Sequence, residues 1–336
     1  MNAHRAGKDE SISMKKYVVT GGGGFIGSAL VRGLLARNDG TVEVIDNFST
    51  GRQENLTEVT SRIRTHVADI CDFDAIAPVI AGADTVFHIA AIPSVPRSIS
   101  DPVPSHRSNI DGTFNVLLAA KEGKARKVVY AASSSAYGDT EILPKVETMQ
   151  PNPKSPYAAQ KLLGEYYCSS FAECYGLDAT SLRFYNVYGP RQDPSSPYSG
   201  VLSIFIRCLV ERTSPTIFGD GEQTRDFTYV EDVVELILKT STAPAPAGKM
   251  FNAGNGGRFS LNEVWRELQK IEGVSISANY GSPRAGDVRD SQADTDAATK
   301  YLGHAPRFSL EEGLRRTLEW YRQQQSVPSS ATVSVG

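Results

Sequence analysis

The stretch SPYAAQK (155–161) sets a tyrosine and a lysine four positions apart at the start of an expected helix. Ser155 can cap, Pro156 suits the first turn, and AAQKLLGEYY continues with helix formers. Residues four apart share one helical face, so Tyr157 and Lys161 point the same way. A phenol beside an ammonium is a candidate proton-transfer pair, because the positive charge favours phenolate. The expected strand VVYAASSSAYG ends in Ser133, Ser134 and Ser135. In a parallel sheet functional groups collect at the carboxyl ends of strands, so this serine run and the Tyr157–Lys161 helix converge.

A second group of residues points to a dinucleotide. The run VVTGGGGFIGSAL places glycines at 21, 22, 23, 24 and 27 between an expected strand and helix. It fits Gly-x-Gly-x-x-Gly (22, 24, 27) and Gly-x-x-Gly-x-x-Gly (21, 24, 27) equally well, and the register stays open. In both, missing side chains let backbone N–H groups reach a pyrophosphate at the helix's positive end, and the last glycine lets helix pack on strand. Gly21, Gly24, Phe25, Ile26 and Gly27 are the residues expected there. Asp46 ends the second strand 25 residues after Gly21, near the ~20 expected of a carboxylate that holds ribose hydroxyls. Asn47, Ser49, Thr50 and Gly51 follow it in DNFSTGR. A carboxylate here repels a 2′-phosphate, which favours NAD over NADP, while Arg52 leaves a way to accommodate a phosphate. Asp69 and Ile70 end the third strand, near the adenine. Ile89, Ala90 and Ala91 end the fourth, where small apolar residues admit the nicotinamide ribose.

These residues need a frame, and the chain is long enough to supply one. It has 336 residues and nearly balanced charge, 35 Lys+Arg against 38 Asp+Glu, so neither a nucleic-acid groove nor a membrane surface is implied. No apolar run approaches the ~18 residues of a membrane span. Cys71, Cys168, Cys174 and Cys208 fit no C-x-x-C pattern and suggest reduced thiols in a cytoplasm. The five histidines lack ligand spacing, so no metal site is expected. Apolar runs at 15–21, 41–47, 62–70, 85–91 and 125–134 read as strands alternating with helical patterns, the signature of an α/β, doubly wound parallel sheet. Helices are expected at 201–212, 229–240 and 260–271. The organisation read from this is a leader at 1–14, a Rossmann-type nucleotide domain at 15–180, a smaller mixed α/β substrate domain at 181–322 with segments returning to the core, and a tail at 323–336.

Taken in order, TGGGGFIG, Asp46, HIAA, NIDGT, SSSAYGD, SPYAAQK and LRFYNVYGP resemble the extended short-chain dehydrogenase/reductase family, and within it the UDP-hexose 4-epimerases. The resemblance covers about residues 15 to 322. It implies that Tyr157 takes the sugar 4-hydroxyl proton while hydride passes from C4 to NAD+. Lys161 lowers the phenol and holds the nicotinamide ribose, and Ser133 hydrogen-bonds the oxygen at C4. Bringing a tyrosine from ~10 towards neutrality takes about 4 kcal/mol of differential stabilisation, which two close cations are expected to supply. The 4-keto sugar then turns over and receives the hydride on its other face, with NAD staying bound. Asn109 and Tyr185 are implied cofactor contacts. A UDP-sugar partner is implied at Asn186, at the helix start Gly200, Val201 and Leu202, along Thr216, Ile217 and Phe218 for the uridine, and at Arg225, Arg284 and Asp287 for phosphate and ribose.

The same resemblance bears on which reaction and which sugar. Dehydratases of the family carry Asp–Glu after the Ser/Thr, and UDP-glucuronate decarboxylases a glutamate where Ser135 stands; Ser134 and Ser135 therefore favour epimerisation. Ser291 stands where the family gates the pocket beside the sugar C2 substituent. Its small side chain leaves room for UDP-GlcNAc and UDP-GalNAc alongside UDP-Glc and UDP-Gal. A UDP-glucuronate 4-epimerase is the first alternative, and a nucleotide-sugar reductase or dehydrogenase that releases its cofactor is the next. A non-catalytic NAD-binding scaffold would be expected to lose Tyr157 or Lys161. Homodimerisation is implied through helices near 106–123 and 156–175, with Phe114, Leu117, Leu118, Leu162, Leu163 and Tyr166 on their apolar faces.

Overall fold

The computed structural model describes residues 14–193, 200–283 and 288–326. At its centre lies one seven-stranded sheet with every pairing parallel. Its strands are β1 (Lys15–Thr20), β2 (Gly40–Asp46), β3 (Arg64–Val67), β4 (Thr85–His88), β5 (Lys127–Ser133), β6 (Asp178–Phe184) and β7 (Met250–Ala253). Spatially they run β7-β6-β5-β4-β1-β2-β3. From β1 the chain steps outward to β3, then crosses back to β4 on the other side of β1. A crevice opens at the carboxyl ends of β1 and β4, where such folds bind their ligands.

Alternation along each strand sends side chains to two cores. Tyr17 and Val19 face one side with Val44, Phe87 and Leu182, against helix Phe25–Arg37, helix Val230–Thr242 and most of the C-terminal third. Val18 faces the other with Val86, Val128 and Tyr130, against helices Phe73–Ile80, Gly112–Glu122 and Pro156–Tyr175. Both faces are covered, as a parallel sheet requires.

The five strands expected before residue 134 are all present, as are helices Val201–Val210, Val230–Thr242 and Leu261–Glu272. β6 and β7 were not expected. β6 reads DATSLRF, and its buried Thr180, Ser181 and Arg183 interrupt the apolar run that marks an interior strand. β7 pairs Met250 with Ser181 through Ala253 with Phe184, so the C-terminal part adds a strand to the central sheet. The last helix, Leu310–Ser326, continues past 323, where the tail was expected to begin. Among the described residues no helix is long and apolar enough to cross a membrane.

Candidate active site

A cavity of about 610 Å³ occupies the crevice, within the usual range for a ligand pocket. Its first wall is the turn from β1 into helix Phe25–Arg37. Gly21 has φ +73°, and a Cβ there would come within 2.7 Å of the Ala90 backbone. A Cβ on Gly27 would overlap the Gly21 carbonyl oxygen. Gly24 caps the helix, and Gly21, Gly24 and Gly27 border the cavity, whereas a side chain on Gly22 would run into Val44 in the core. Of the two registers, the glycines at 21, 24 and 27 are the ones that line the cavity.

Asp46, at the end of β2, is buried and accepts from the N–H groups of Gly23 and Phe48, both at 2.8 Å. Burial pushes its carboxyl up, and those two donors pull it back. Asn47 donates to Asp69 at 2.9 Å, tying the ends of β2 and β3 together. Phe25, Ile26, Ser49, Thr50, Gly51, Ile70, Ile89, Ala90 and Ala91 also border the cavity. Arg52 forms an ion pair with Asp193 at 2.6 Å.

The third group lies at the end of β5. Ser133 begins a short turn of 3-10 helix, Ser134–Tyr137; its hydroxyl lies 2.8 Å from that of Ser135 and accepts from the Ser135 N–H. Ser155 caps helix Pro156–Tyr175 by accepting from the Ala158 N–H, with Pro156 in the first turn. Tyr157 and Lys161 leave that helix on the face turned to the cavity, and both border it with Ser133, Ser134 and Ser135. The Lys161 ammonium donates to the Ala131 carbonyl at 2.8 Å and lies 4.9 Å from the centre of the Tyr130 ring. Burial pushes it down to about 7, opposed first by Glu165.

One expectation changes here. Burial raises the Tyr157 phenol, and the hydrogen bond with Ser133 only partly counters that; Lys161 is not among the influences that lower it. A lysine that spends its hydrogen bond on a backbone carbonyl and is itself held near neutrality is a weak source of positive charge.

Several expected contacts fall elsewhere. Tyr185 is fully buried, donating to Asn252 at 3.2 Å, and Phe184 borders the cavity instead, because successive residues of a strand face opposite ways. Asn109 is 1% exposed and braces the β4 loop, exchanging hydrogen bonds with the main chain of Ile92 and donating to Gln160 at 2.8 Å. Of the helix start only Gly200 borders the cavity, since Leu202 packs into the core and Val201 against it. Thr216, Ile217 and Phe218 pair with Asn279–Gly281 and stand outside the cavity wall, Ile217 pointing into the core. Asn186, Arg225 and Ser291 do border it. Arg284 and Asp287 lie outside the described residues.

Sequence reasoning missed several wall residues, among them Phe184, Lys145, Arg97 and Arg191. The alternation in RFYN signals Phe184 once β6 is recognised. No local pattern announces Lys145, which reaches the wall through a long-range bridge to Ala293.

Comparison with known proteins agrees with this geometry. Residues 17–254 match the family model described as the NAD dependent epimerase/dehydratase family. A UDP-glucose 4-epimerase of Mycolicibacterium smegmatis is 39% identical over 314 residues, covering 92% of this chain and 99% of the relative. The solved structure of a UDP-N-acetylglucosamine 4-epimerase from Methanobrevibacter ruminantium M1, in complex with UDP-N-acetylmuramic acid, superposes with a TM-score of 0.88 at 36% identity, covering 92% of this chain and 99% of that one. A UDP-glucuronic acid 4-epimerase from Bacillus cereus, solved with UDP-glucuronic acid and NAD, gives 0.86 at 33% identity with the same coverage. With the glycine cradle, Asp46 and the Ser133–Tyr157–Lys161 group in one crevice, the chain belongs to the NAD dependent epimerase/dehydratase family.

Proposed function

We propose that the protein is a UDP-hexose 4-epimerase that keeps NAD tightly bound and interconverts UDP-GlcNAc with UDP-GalNAc, and UDP-Glc with UDP-Gal, through a transient 4-keto sugar. The observation that carries this reading is the convergence of Ser133, Tyr157 and Lys161 on the cavity that the glycine turn and Asp46 border. No carboxylate stands at positions 134 and 135, where eliminating water or a carboxyl group would call for one.

The residues fit a dinucleotide. The turn leaves no space for side chains at Gly21 and Gly27 and little at Gly24, and the buried Asp46 carboxylate suits ribose hydroxyls and repels a 2′-phosphate. Oxidised NAD, when bound, supplies the hydride acceptor and donor for C4 and a positively charged ring. The rest falls to this chain. Tyr157 Oη removes and returns the proton of the 4-hydroxyl. Ser133 Oγ shares a hydrogen bond with that phenol and orients the oxygen at C4. Lys161, fixed to Ala131, positions the ribose, and Asn186 and Arg225 receive the diphosphate. The enzyme is assigned to the cytoplasm and to a homodimer, the latter on the faces of helices Gly112–Glu122 and Pro156–Tyr175.

Separate incubations with UDP-Glc, UDP-GlcNAc and UDP-GlcA, with chromatographic resolution of the 4-epimers, test reaction and sugar together. Epimers of the first two without added NAD are expected. Failure to epimerise any of them, by protein that releases NAD on heat denaturation, would remove the assignment.

A further inference from the structure

Lys145 is 2% exposed yet borders the cavity. Its Nζ donates to the Gly138 carbonyl at 3.1 Å, the one hydrogen bond its ammonium makes among the described residues. An ammonium carries three N–H donors, and burying them unfilled is costly. Burial accordingly holds this lysine below its ordinary range.

The side chain has little freedom to escape to water. Lys145 N donates to Gln292 O at 2.8 Å, and Lys145 O accepts from Asp294 N at 2.9 Å and from the Asn252 amide at 2.8 Å. Gly138, its acceptor, closes the turn that Ser133 begins. Ser291, also on the cavity, stands two residues before Ala293, the bridge partner of Lys145. The lysine thus belongs to the wall shared by Ser133 and Ser291, apart from the glycine turn.

Charges of both signs surround it. Asp139 and Asp290 act on Lys145 as nearby anions and Arg225 as a nearby cation. Asp139 and Asp290 already offset its positive charge, Asp290 while also paired with Arg258 at 3.2 Å, so a neutral acceptor can fill its open donors.

We propose that Lys145 is a hexose-binding residue whose ammonium donates to an uncharged oxygen of the sugar, a hydroxyl or an acetamido carbonyl, held in front of Ser133 and Tyr157. The role rests on the UDP-hexose reading above and adds that this lysine reads the hexose rather than the nucleotide.

Titration calorimetry tests it, with UDP-GlcNAc, UDP-Glc, UDP-GlcA and plain UDP added to NAD-loaded wild type and Lys145→Met. One hydrogen bond lost should weaken a UDP-hexose about tenfold while UDP stays within about twofold. Loss confined to UDP-GlcNAc assigns the acetamido carbonyl; loss on UDP-Glc as well assigns a hydroxyl. The proposal is overturned if no sugar changes, if UDP weakens as much as the sugars, or if the greatest loss falls on UDP-GlcA, which would mark a carboxylate partner. Should Lys145→Met fail to fold, Lys145→Gln serves. It keeps an N–H donor and should hold UDP-hexoses within about threefold of wild type, and a tenfold loss of UDP in that variant counts against the role. If folded, NAD-loaded wild type binds UDP but no UDP-hexose, the function reading falls and takes this role with it; wild-type binding with an indifferent variant removes the role alone.

Discussion

Glu165 stands one helical turn after Lys161 on the same buried face, and Arg183 grips its carboxylate at 2.8 and 2.7 Å. Glu165 is on the helix that carries Tyr157, and Arg183 is on β6. Arg183 also lies 4.2 Å from the centre of the Tyr137 ring, which makes the guanidinium part of the packing. Removing one partner of a buried pair leaves the other charge uncompensated. Glu165→Gln should therefore cost about 3 kcal/mol of stability in urea unfolding. Pairing it with Arg183→Met should restore part of that loss. A double variant as unstable as the sum of the single ones would show that the pair is not coupled.

Burial of Lys161 gives stability a pH dependence of definite sign. In the folded protein its ammonium titrates at about 7, against 10.5 for an ordinary lysine. Between those values the unfolded chain holds a proton that the folded chain lacks, so stability rises with pH across that window. Below about 7 both states are charged and the full cost of burying the cation is present. From pH 7 to 9 wild-type protein stripped of dinucleotide should gain on the order of 2 kcal/mol from this group. Lys161→Met should lack that gain, as denaturant midpoints at the two pH values would reveal. Equal gains in both proteins would place the pH dependence elsewhere.

Tyr157→Phe keeps the ring and removes the oxygen. Tyr157 touches the frame through its backbone N–H, which accepts no change on substitution: it donates to Ser98 Oγ at 3.1 Å. The variant should fold, retain dinucleotide, and lose epimerisation by about 10²–10⁴-fold, the scale of a general acid–base group. Absorbance of heat-released NAD and an epimer assay separate the two effects. A variant within tenfold of wild type would mean that another group moves the proton.

Much of this was legible in the sequence, and what was not has physical causes. The glycine turn, Asp46 and the Ser–Tyr–Lys group depend on local spacing, so position along the chain announced them. Tyr185 failed because LRFYN was not recognised as the end of a strand, and one residue's slip reverses which side chain faces the cavity. Asn109 and Lys145 exchange places in the same sense. A polar residue expected at the ligand turned out to brace a loop, and an unnoticed lysine borders the cavity through contacts more than a hundred residues away. Buried Asp226 likewise braces its surroundings, accepting from the N–H groups of Asn255, Gly256 and Ala293. Tertiary contacts of this kind leave no periodic trace.

The apolar faces invoked for a dimer divide in two. Leu117 and Leu162 turn inward and pack as buried residues, while Phe114 (37% exposed) and Tyr166 (56% exposed) remain at the surface. Ile99 and Val103, also exposed, belong to the two short helices that precede this region in the chain. A charge introduced on such a face leaves the core intact but opposes burial of that face against a second copy. Phe114→Glu with Tyr166→Glu should therefore shift sedimentation from dimer to monomer at micromolar concentration, with little change in monomer folding by circular dichroism. If wild type sediments as a monomer, or the doubly charged variant sediments as wild type does, the proposed dimer through these faces falls.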